Sequence, residues 1–263
     1  MGRRIEGIDE DDLRRMYDVE GMTEREIASY YGVSHRTIQE RMKEYNIKPR
    51  LSSEVKRQYS INHDFFKSWT PESAWLYGWA IGDGNFTRKD YLHFRLSAID
   101  KEVLFKFRDV LDSEHPVYDF LSHGHEMSRI QFNSITLVKD LKRLHYRDVP
   151  RQYFKYWLRG FFEAEGSVYW HKENHNSRGG SIHASIGQND YEILDYILQT
   201  LRDEGVIKGG SIHKHKNTWL LKFGTRDSIS LCRYIYSGYC KNIYLKRKKE
   251  KFEMLVERQL KGE

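Results

Sequence analysis

Two short stretches of this chain follow one plan, and each ends in an acid followed by glycine. The first is Leu76-Tyr77-Gly78-Trp79-Ala80-Ile81-Gly82-Asp83-Gly84; the second is Leu158-Arg159-Gly160-Phe161-Phe162-Glu163-Ala164-Glu165-Gly166. In both, small residues sit four apart, Gly78 with Gly82 and Gly160 with Ala164, so on a helix they share one face. Two such faces can pack backbone to backbone, a device better known from membrane helices. Packed in parallel, they bring Asp83 and Glu165 side by side at two negative helix ends, where the carboxylates repel. A divalent cation relieves that repulsion, and a cation held by two acids supports phosphodiester chemistry.

The surrounding pattern is used twice. Pro71 opens a helix through the first motif. Strands are expected at Asn85–Lys89 and Tyr91–Ser97, then a helix capped by Asp100 over Lys101–Leu111. Strands near Val117–Leu121 and Ser128–Phe132 and a helix over Ile135–Leu144 complete the round. Pro150 opens the second round, with a motif helix at Tyr153–Glu165, strands at Ser167–His171 and Ser181–Ile186, and a helix at Tyr191–Glu204. Strands at Ser211–Lys216 and Trp219–Phe223 and a helix at Ser228–Tyr236 follow. Each round therefore reads α-β-β-α-β-β-α, a duplicated structural unit. The fold class expected is α+β, with a small all-α segment in front. The divisions are residues 1–50, a basic linker at 51–70, a first unit at 71–149 and a second at 150–263.

The strands alternate. Leu92, Phe94 and Leu96 form an apolar face, opposite Tyr91, His93, Arg95 and Ser97; His183 and Ser185 fall on the polar side of 181–186. These polar faces are poor in acids, which suits a groove of bases and phosphates. The formal net charge of +6 leans the same way. Two cysteines, Cys232 and Cys240, fit no zinc signature or disulfide framework and read as idle thiols of a reducing cytosol. No stretch resembles a signal peptide or a membrane span, so a soluble, cytoplasmic protein is expected.

Both motifs resemble the LAGLIDADG signature of homing endonucleases. In the second, Leu158, Gly160, Glu163, Ala164, Glu165 and Gly166 fall in register; in the first, Leu76, Gly78, Asp83 and Gly84 match, with Ile81 where the first acid usually stands. The tail Tyr244-Leu245-Lys246-Arg247-Lys248 is similar to the family's C-terminal segment. The resemblance covers roughly residues 70–263 and implies a pseudo-twofold saddle on double-stranded DNA. It implies that Asp83 and Glu165 bind Mg²⁺, or another divalent cation such as Mn²⁺, and that the chain makes a staggered double-strand break. It also implies a solvent-ordering basic or polar residue near the end of each fourth strand, here Gln131 and Lys222. Arg88, Tyr91, His93, Arg95, Arg129, His183, Ser185 and Lys222 are the expected DNA contacts on the sheets. Gly84 and Gly166 fit helix C-caps, where φ is often positive.

In the first zone Thr23-Glu24-Arg25-Glu26 is a capping box, Gly32-Val33-Ser34 is a tight turn, and Ser34 caps a helix from His35 to Tyr45. With a first helix at Asp11–Tyr17 this looks like a helix-turn-helix, whose second motif helix offers His35, Arg36, Thr37, Gln39, Glu40 and Lys43 to DNA. In the connector, Lys56 and Arg57 are placed on phosphates. His123 with His125, and His213 with His215, have metal-like spacing without acidic or cysteine partners and read as facing DNA or solvent. The expectation is a monomeric, two-motif homing endonuclease, free-standing or intron-encoded since intein end residues are missing. The alternative is a non-cleaving transcription regulator, a combination found in some bacterial sporulation regulators. An RNA maturase acting on a host intron is a third reading.

Overall fold

The computed structural model describes residues 8–20, 22–49, 59–86, 90–172, 180–238 and 243–262. The chain divides into two compact units, residues 1–58 and 59–263. Lys56, Arg57, Arg88 and Cys240, singled out above, lie outside the described residues.

Among the described residues, the first unit holds three helices. The Asp9 carboxylate accepts from the Asp12 amide at 2.7 Å and opens α1 (Glu10–Arg14), which runs into a wider π-turn at Arg15–Val19. The helix expected at Asp11–Tyr17 thus starts earlier and changes pitch; with the wider turn the sequence neighbours Met16 and Tyr17 are both buried. Thr23 and Glu26 form a reciprocal capping box, 3.2 and 2.7 Å, at the start of α2 (Glu24–Tyr30). Gly32 turns the chain at φ +65°, and Ser34 caps α3 (His35–Glu44) through the Thr37 amide. Leu13, Ile27, Ala28, Ile38 and Met42 fill the core between the three helices.

The second unit carries both motif helices, α4 (Pro71–Gly82) and α7 (Arg151–Glu165), in one continuous core. A side chain on Gly78 would meet the Trp157 carbonyl at 2.2 Å, and one on Gly160 would meet the Trp75 carbonyl at 2.0 Å. One turn on, a side chain on Gly82 would lie 2.4 Å from Ala164 Cβ. Contacts that advance together along both helices define a parallel seam, so the small residues are where two backbones touch. Trp75, Trp79 and Trp157 flank it, fully buried.

After α4 come β1 (Tyr91–Ser97), α5 (Lys101–Val110), β2 (Tyr118–Ser122), β3 (His125–Asn133) and α6 (Ile135–Arg143). The sheet order is β1-β3-β2, antiparallel throughout. The strand expected at Asn85–Lys89 is not formed among the described residues: a single bridge joins Asn85 to His93. Asp100 does not cap α5; its carboxylate instead accepts both arms of Arg247, at 2.8 and 2.7 Å. From Tyr59 the chain is already part of this unit, with Ile61 and Phe66 buried and the Asn62 amide bonded to the Leu111 carbonyl.

After α7 the chain enters β4 (Gly166–Lys172), β5 (Gly180–Gln188), α8 (Tyr191–Asp203), β6 (Ser211–His215), β7 (Thr218–Phe223) and α9 (Thr225–Tyr236). This sheet has four strands in the order β4-β5-β7-β6. A last helix, α10 (Lys246–Lys261), is not among the expected elements, although Phe252, Leu255 and Val256 bury its inner face at helical spacing; its first turn reads Lys-Arg-Lys-Lys. No described helix is long and apolar enough to cross a membrane.

Gly84 and Gly166 lack the positive φ expected of C-caps: Asp83 caps α4, and Gly166, at φ −84°, passes straight into β4. Close approach requires them instead. A side chain on Gly84 would meet the Ala80 carbonyl at 2.5 Å, and one on Gly166 the Phe162 ring at 2.3 Å.

Candidate active site at the end of the seam

Because the seam is parallel, α4 and α7 end together. A side chain on Gly82, the residue before Asp83, would lie 3.2 Å from Glu165 Cγ. The Glu165 carboxyl is half-buried, and its pKa is pushed up to about 7, first by burial and then by the Asp83 charge. Asp83 reaches solvent, but the protein mass around it strips enough hydration to raise its carboxyl as well, against the Lys248 charge that lowers it. Gln188 at the end of β5 donates to Glu165 Oε1 at 3.5 Å.

The two sheets repeat one register. In the first, Asn85, His93 and Gln131 form a row across the strands; in the second, Ser167, Ser185 and Lys222 form the matching row, extended by Ser211. Asn85 and Ser167 each follow a seam acid by two residues, so Gln131 and Lys222 hold equivalent positions. Both are exposed, and Gln131 Nε2 donates to Asn133 Oδ1 at 2.8 Å. The structure does not bring either side chain into a hydrogen bond with Asp83 or Glu165.

The open face of the first sheet carries Tyr91, His93, Arg95, Arg129 and Tyr118. Arg95 and Arg129 stand directly opposite each other, a like-charge pair that a neighbouring anion relieves. Arg95 lies over the Phe120 ring at 4.9 Å and Arg129 over the Tyr118 ring at 5.8 Å. Burial, then the Arg95 and Arg129 charges, hold the His93 imidazole below its ordinary pKa. The open face of the second sheet carries Tyr169, His183, Ser185 and Lys222, with His183 stacked on Tyr169 and bonded to Ser181.

No protein-family model matches the chain, and no curated protein matches it in sequence. Among solved structures it is similar to a lysine-to-alanine mutant of I-SmaMI, with a TM-score of 0.51 and 11% identity over 73% of this chain and 92% of that one. It is similar to the homing endonuclease I-WcaI bound to its DNA recognition sequence, with a TM-score of 0.50 and 15% identity over 80% and 96% of the two chains. It is also similar to full-length DUF199/WhiA from Thermatoga maritima, with a TM-score of 0.50 and 17% identity over 75% of this chain. The fold is the LAGLIDADG saddle. This chain spans 65% of the WhiA chain's length, and at such identities the likeness is one of fold.

Two site features escape the motif pattern of this saddle. Glu163, the first acid of the second motif, does not face solvent: it is fully buried and accepts from the Trp75 and Trp79 indoles at 2.9 and 3.2 Å. Burial pushes its pKa up, against those bonds and the Arg159 charge. It is therefore a latch across the seam, and Ile81 leaves the first motif without one. The second feature is Lys248 on α10. Its ammonium donates to the carbonyls of Glu163 at 2.5 Å, Gly166 at 2.8 Å and Phe162 at 3.3 Å, beneath the acid pair. Burial lowers its pKa to about 8, against the pull of Glu163. No sequence signal marks it beyond its place in the basic tail.

The described residues hold no group of three or more acid, histidine or cysteine side chains that could enclose a metal. Two carboxylates do fit a hard divalent cation that completes its shell with water and phosphate oxygens, as Mg²⁺ commonly does. The placement of the two carboxylates together at the end of the seam is the observation that favours such an ion.

In the first unit most of the side chains expected to face DNA have partners within the unit. Glu24 Oε2 lies 2.7 Å from His35 Nε2 and accepts from Gln39 Nε2 at 3.0 Å. Arg36 pairs with Glu40, Thr37 bonds to Ser34, and Lys43 is exposed.

Proposed function

We propose that this protein is a site-specific, metal-dependent DNA endonuclease. The observation that carries the proposal is the acid pair, held at the end of a parallel backbone-to-backbone seam that places one carboxylate under each repeat. Asp83 and Glu165 would hold Mg²⁺ or Mn²⁺, which when bound supplies Lewis acidity and lowers the pKa of water.

The chain's own residues do the rest. The seam glycines fix both acids on rigid helix ends. The open sheet faces bind the duplex, Arg95, Arg129 and Lys222 through phosphates or guanines, and Tyr91, His93, His183 and Ser185 through base edges. Gln131 and Lys222, at matching places in the two sheets, order solvent near the strand to be cut. The N-terminal unit is a helix-turn-helix that extends the contact with DNA through α3. The duplicated architecture supports cleavage of both strands by a monomer.

The competing reading is a non-cleaving DNA binder on the same saddle. It is disfavoured by the acid pair, whose mutual repulsion gives a pure binder nothing. The deciding assay is a plasmid-library cleavage selection in Mg²⁺ against Ca²⁺ or EDTA. Cleavage that is lost in Asp83→Asn and Glu165→Gln, with DNA binding retained, is the expected result. Metal-independent cutting, or full activity in either variant, removes the mechanism.

A further inference from the structure

The second sheet presents histidine where a DNA-binding face ordinarily presents lysine or arginine. In its register His171 stands opposite Ser181 and His183 opposite Tyr169, while His213 and His215 stand opposite Leu220 and Thr218 of β7. Ser185, Lys222 and Ser211 continue the same side, so the four imidazoles share the open face, away from the buried Ile182, Ala184 and Leu221. His171, His213 and His215 are exposed and His183 is partly so. The His171 ring stands edge-on to His183 at 5.3 Å, and Tyr169 stacks on His183. The Ser181 and Ser211 hydroxyls lie 3.1 and 2.7 Å from the Nε2 atoms of His183 and His213. Among the described residues the strands of this face carry no acid and one fixed cation, Lys222; Lys172 and Lys214 belong to the opposite side. Lys216 follows His215 in the adjoining turn, and Glu165 lies beyond the end of the face at Ser167.

The first sheet is charged differently. Its open face carries two guanidiniums, Arg95 and Arg129, with His93 and His125. Guanidiniums are cationic at any physiological pH, whereas an imidazole, with an ordinary pKa of about 6.5, is mostly neutral at pH 7. A duplex on both sheets therefore meets two fixed charges on one and, on the other, groups that become cations by taking a proton. A phosphate within a few ångströms stabilises the charged form and draws that proton on. We propose that the second sheet holds its half of the DNA through proton uptake: His171, His183, His213 and His215 are phosphate contacts that charge as the duplex binds. Two charged rings 5.3 Å apart repel, so an anion against them is what lets His171 and His183 both charge. Before DNA arrives, burial and then the nearby His171 hold the His183 imidazole below its ordinary pKa. The inference rests on the DNA-binding reading and gives the two repeats unequal parts in it, whether or not the strands are cut.

The test is a fluorescence-anisotropy titration of the full chain against a labelled mixed-sequence DNA duplex, in EDTA and at fixed ionic strength, at about pH 6 and about pH 8. An imidazole whose pKa rises by about one unit on binding contributes roughly a sixfold loss of affinity across that range. With at least two of the four engaged, the parent is expected to bind at least about 30-fold more weakly at the higher pH. Replacing all four, as His171→Gln, His183→Gln, His213→Gln and His215→Gln, is expected to cut that ratio at least about fivefold. Other histidines, His93, His125 and those of the first unit included, are the same in both proteins and drop out of the comparison. His213→Lys with His215→Lys is expected to bind more tightly than the parent at the higher pH, since the charge is then fixed. Calorimetry at neutral pH in two buffers of different ionisation heat counts the protons, and the fourfold variant is expected to take up less than half as many as the parent. A parent that binds equally at both pH values overturns the proposal, and so does a fourfold variant that keeps the parent's ratio; DNA binding itself then stands. A parent that binds no duplex at either pH overturns the DNA-binding reading along with the proposal. Where the fourfold variant does not fold, His213→Gln with His215→Gln, both exposed on the edge strand, carries the same comparison, and an unchanged ratio overturns the proposal.

Discussion

Gly160→Ala is the sharpest perturbation of the seam. The added methyl group would stand 2.0 Å from the Trp75 carbonyl oxygen and 3.2 Å from the Trp79 amide nitrogen. Those neighbours are main chain and cannot rotate away, so the helices must part by roughly 1 Å or more to reach ordinary contact distance. Separation loosens the packing of Trp75, Trp79 and Trp157 along the whole seam. Overpacking of this kind costs about 1–3 kcal/mol, and here the upper end or beyond applies because both sides are backbone. Alanine returns about 1 kcal/mol through helix propensity. The net expectation is a loss of about 2–3 kcal/mol, or roughly 5–10 °C in Tm for a domain of this size. Urea unfolding followed by tryptophan fluorescence measures it directly, since the three indoles line the seam. Gly187→Ala is the control: its methyl group meets only the flexible Leu220 side chain, at 3.3 Å, and the strand gains from losing a glycine. A Gly160→Ala protein as stable as the parent would refute the backbone-contact account of the motif.

Three further outcomes are expected. Glu163→Leu strands the Trp75 and Trp79 indole donors and takes a negative charge away from the buried Arg159, at a cost of about 3–5 kcal/mol in chemical denaturation; Glu163→Gln, which keeps an acceptor, costs far less. Glu165 holds its proton more tightly folded, with a pKa of about 7 against an ordinary 4.5, so its contribution is fully present below 4.5 and lost as pH rises to 7. With the carboxyl half open to water, that loss is roughly 1–2 kcal/mol in EDTA; it disappears in Glu165→Gln, and a parent protein with no such slope contradicts the assigned environment. Deleting residues 1–58 is expected to weaken binding to the selected DNA site by roughly 100-fold, as removal of one of two linked binding modules does. Unchanged affinity in a gel-shift titration would exclude a DNA-reading role for the first unit.

Much of this protein was legible in its sequence because the signals are local. Glycines four apart on an apolar helix specify a close face wherever that helix packs, and the alternation of Leu92, Phe94 and Leu96 specifies which side of a strand turns inward. Thr23 with Glu26, and Ser34 with Thr37, state where helices begin, since capping is settled within one turn. The duplication of these signals was enough to place two acids at one helix junction, while the pairing of Gln131 with Lys222 came from the family resemblance. Other features depended on residues distant in sequence. Asp100 has the composition of a cap, but a guanidinium from α10 competes for it and wins. Glu163 is, by sequence, simply the first acid of the second motif, and only the fold shows two indoles from the other motif helix holding it in the core. Gly84 and Gly166 look like left-handed caps, and only the packed backbone shows that space, not φ, demands them. Lys248 is one cation in a basic run until the chain folds. Folding then clamps its ammonium on the carbonyls of Phe162, Glu163 and Gly166 at the end of α7, because a contact between segments so distant in sequence is a property of the tertiary structure alone.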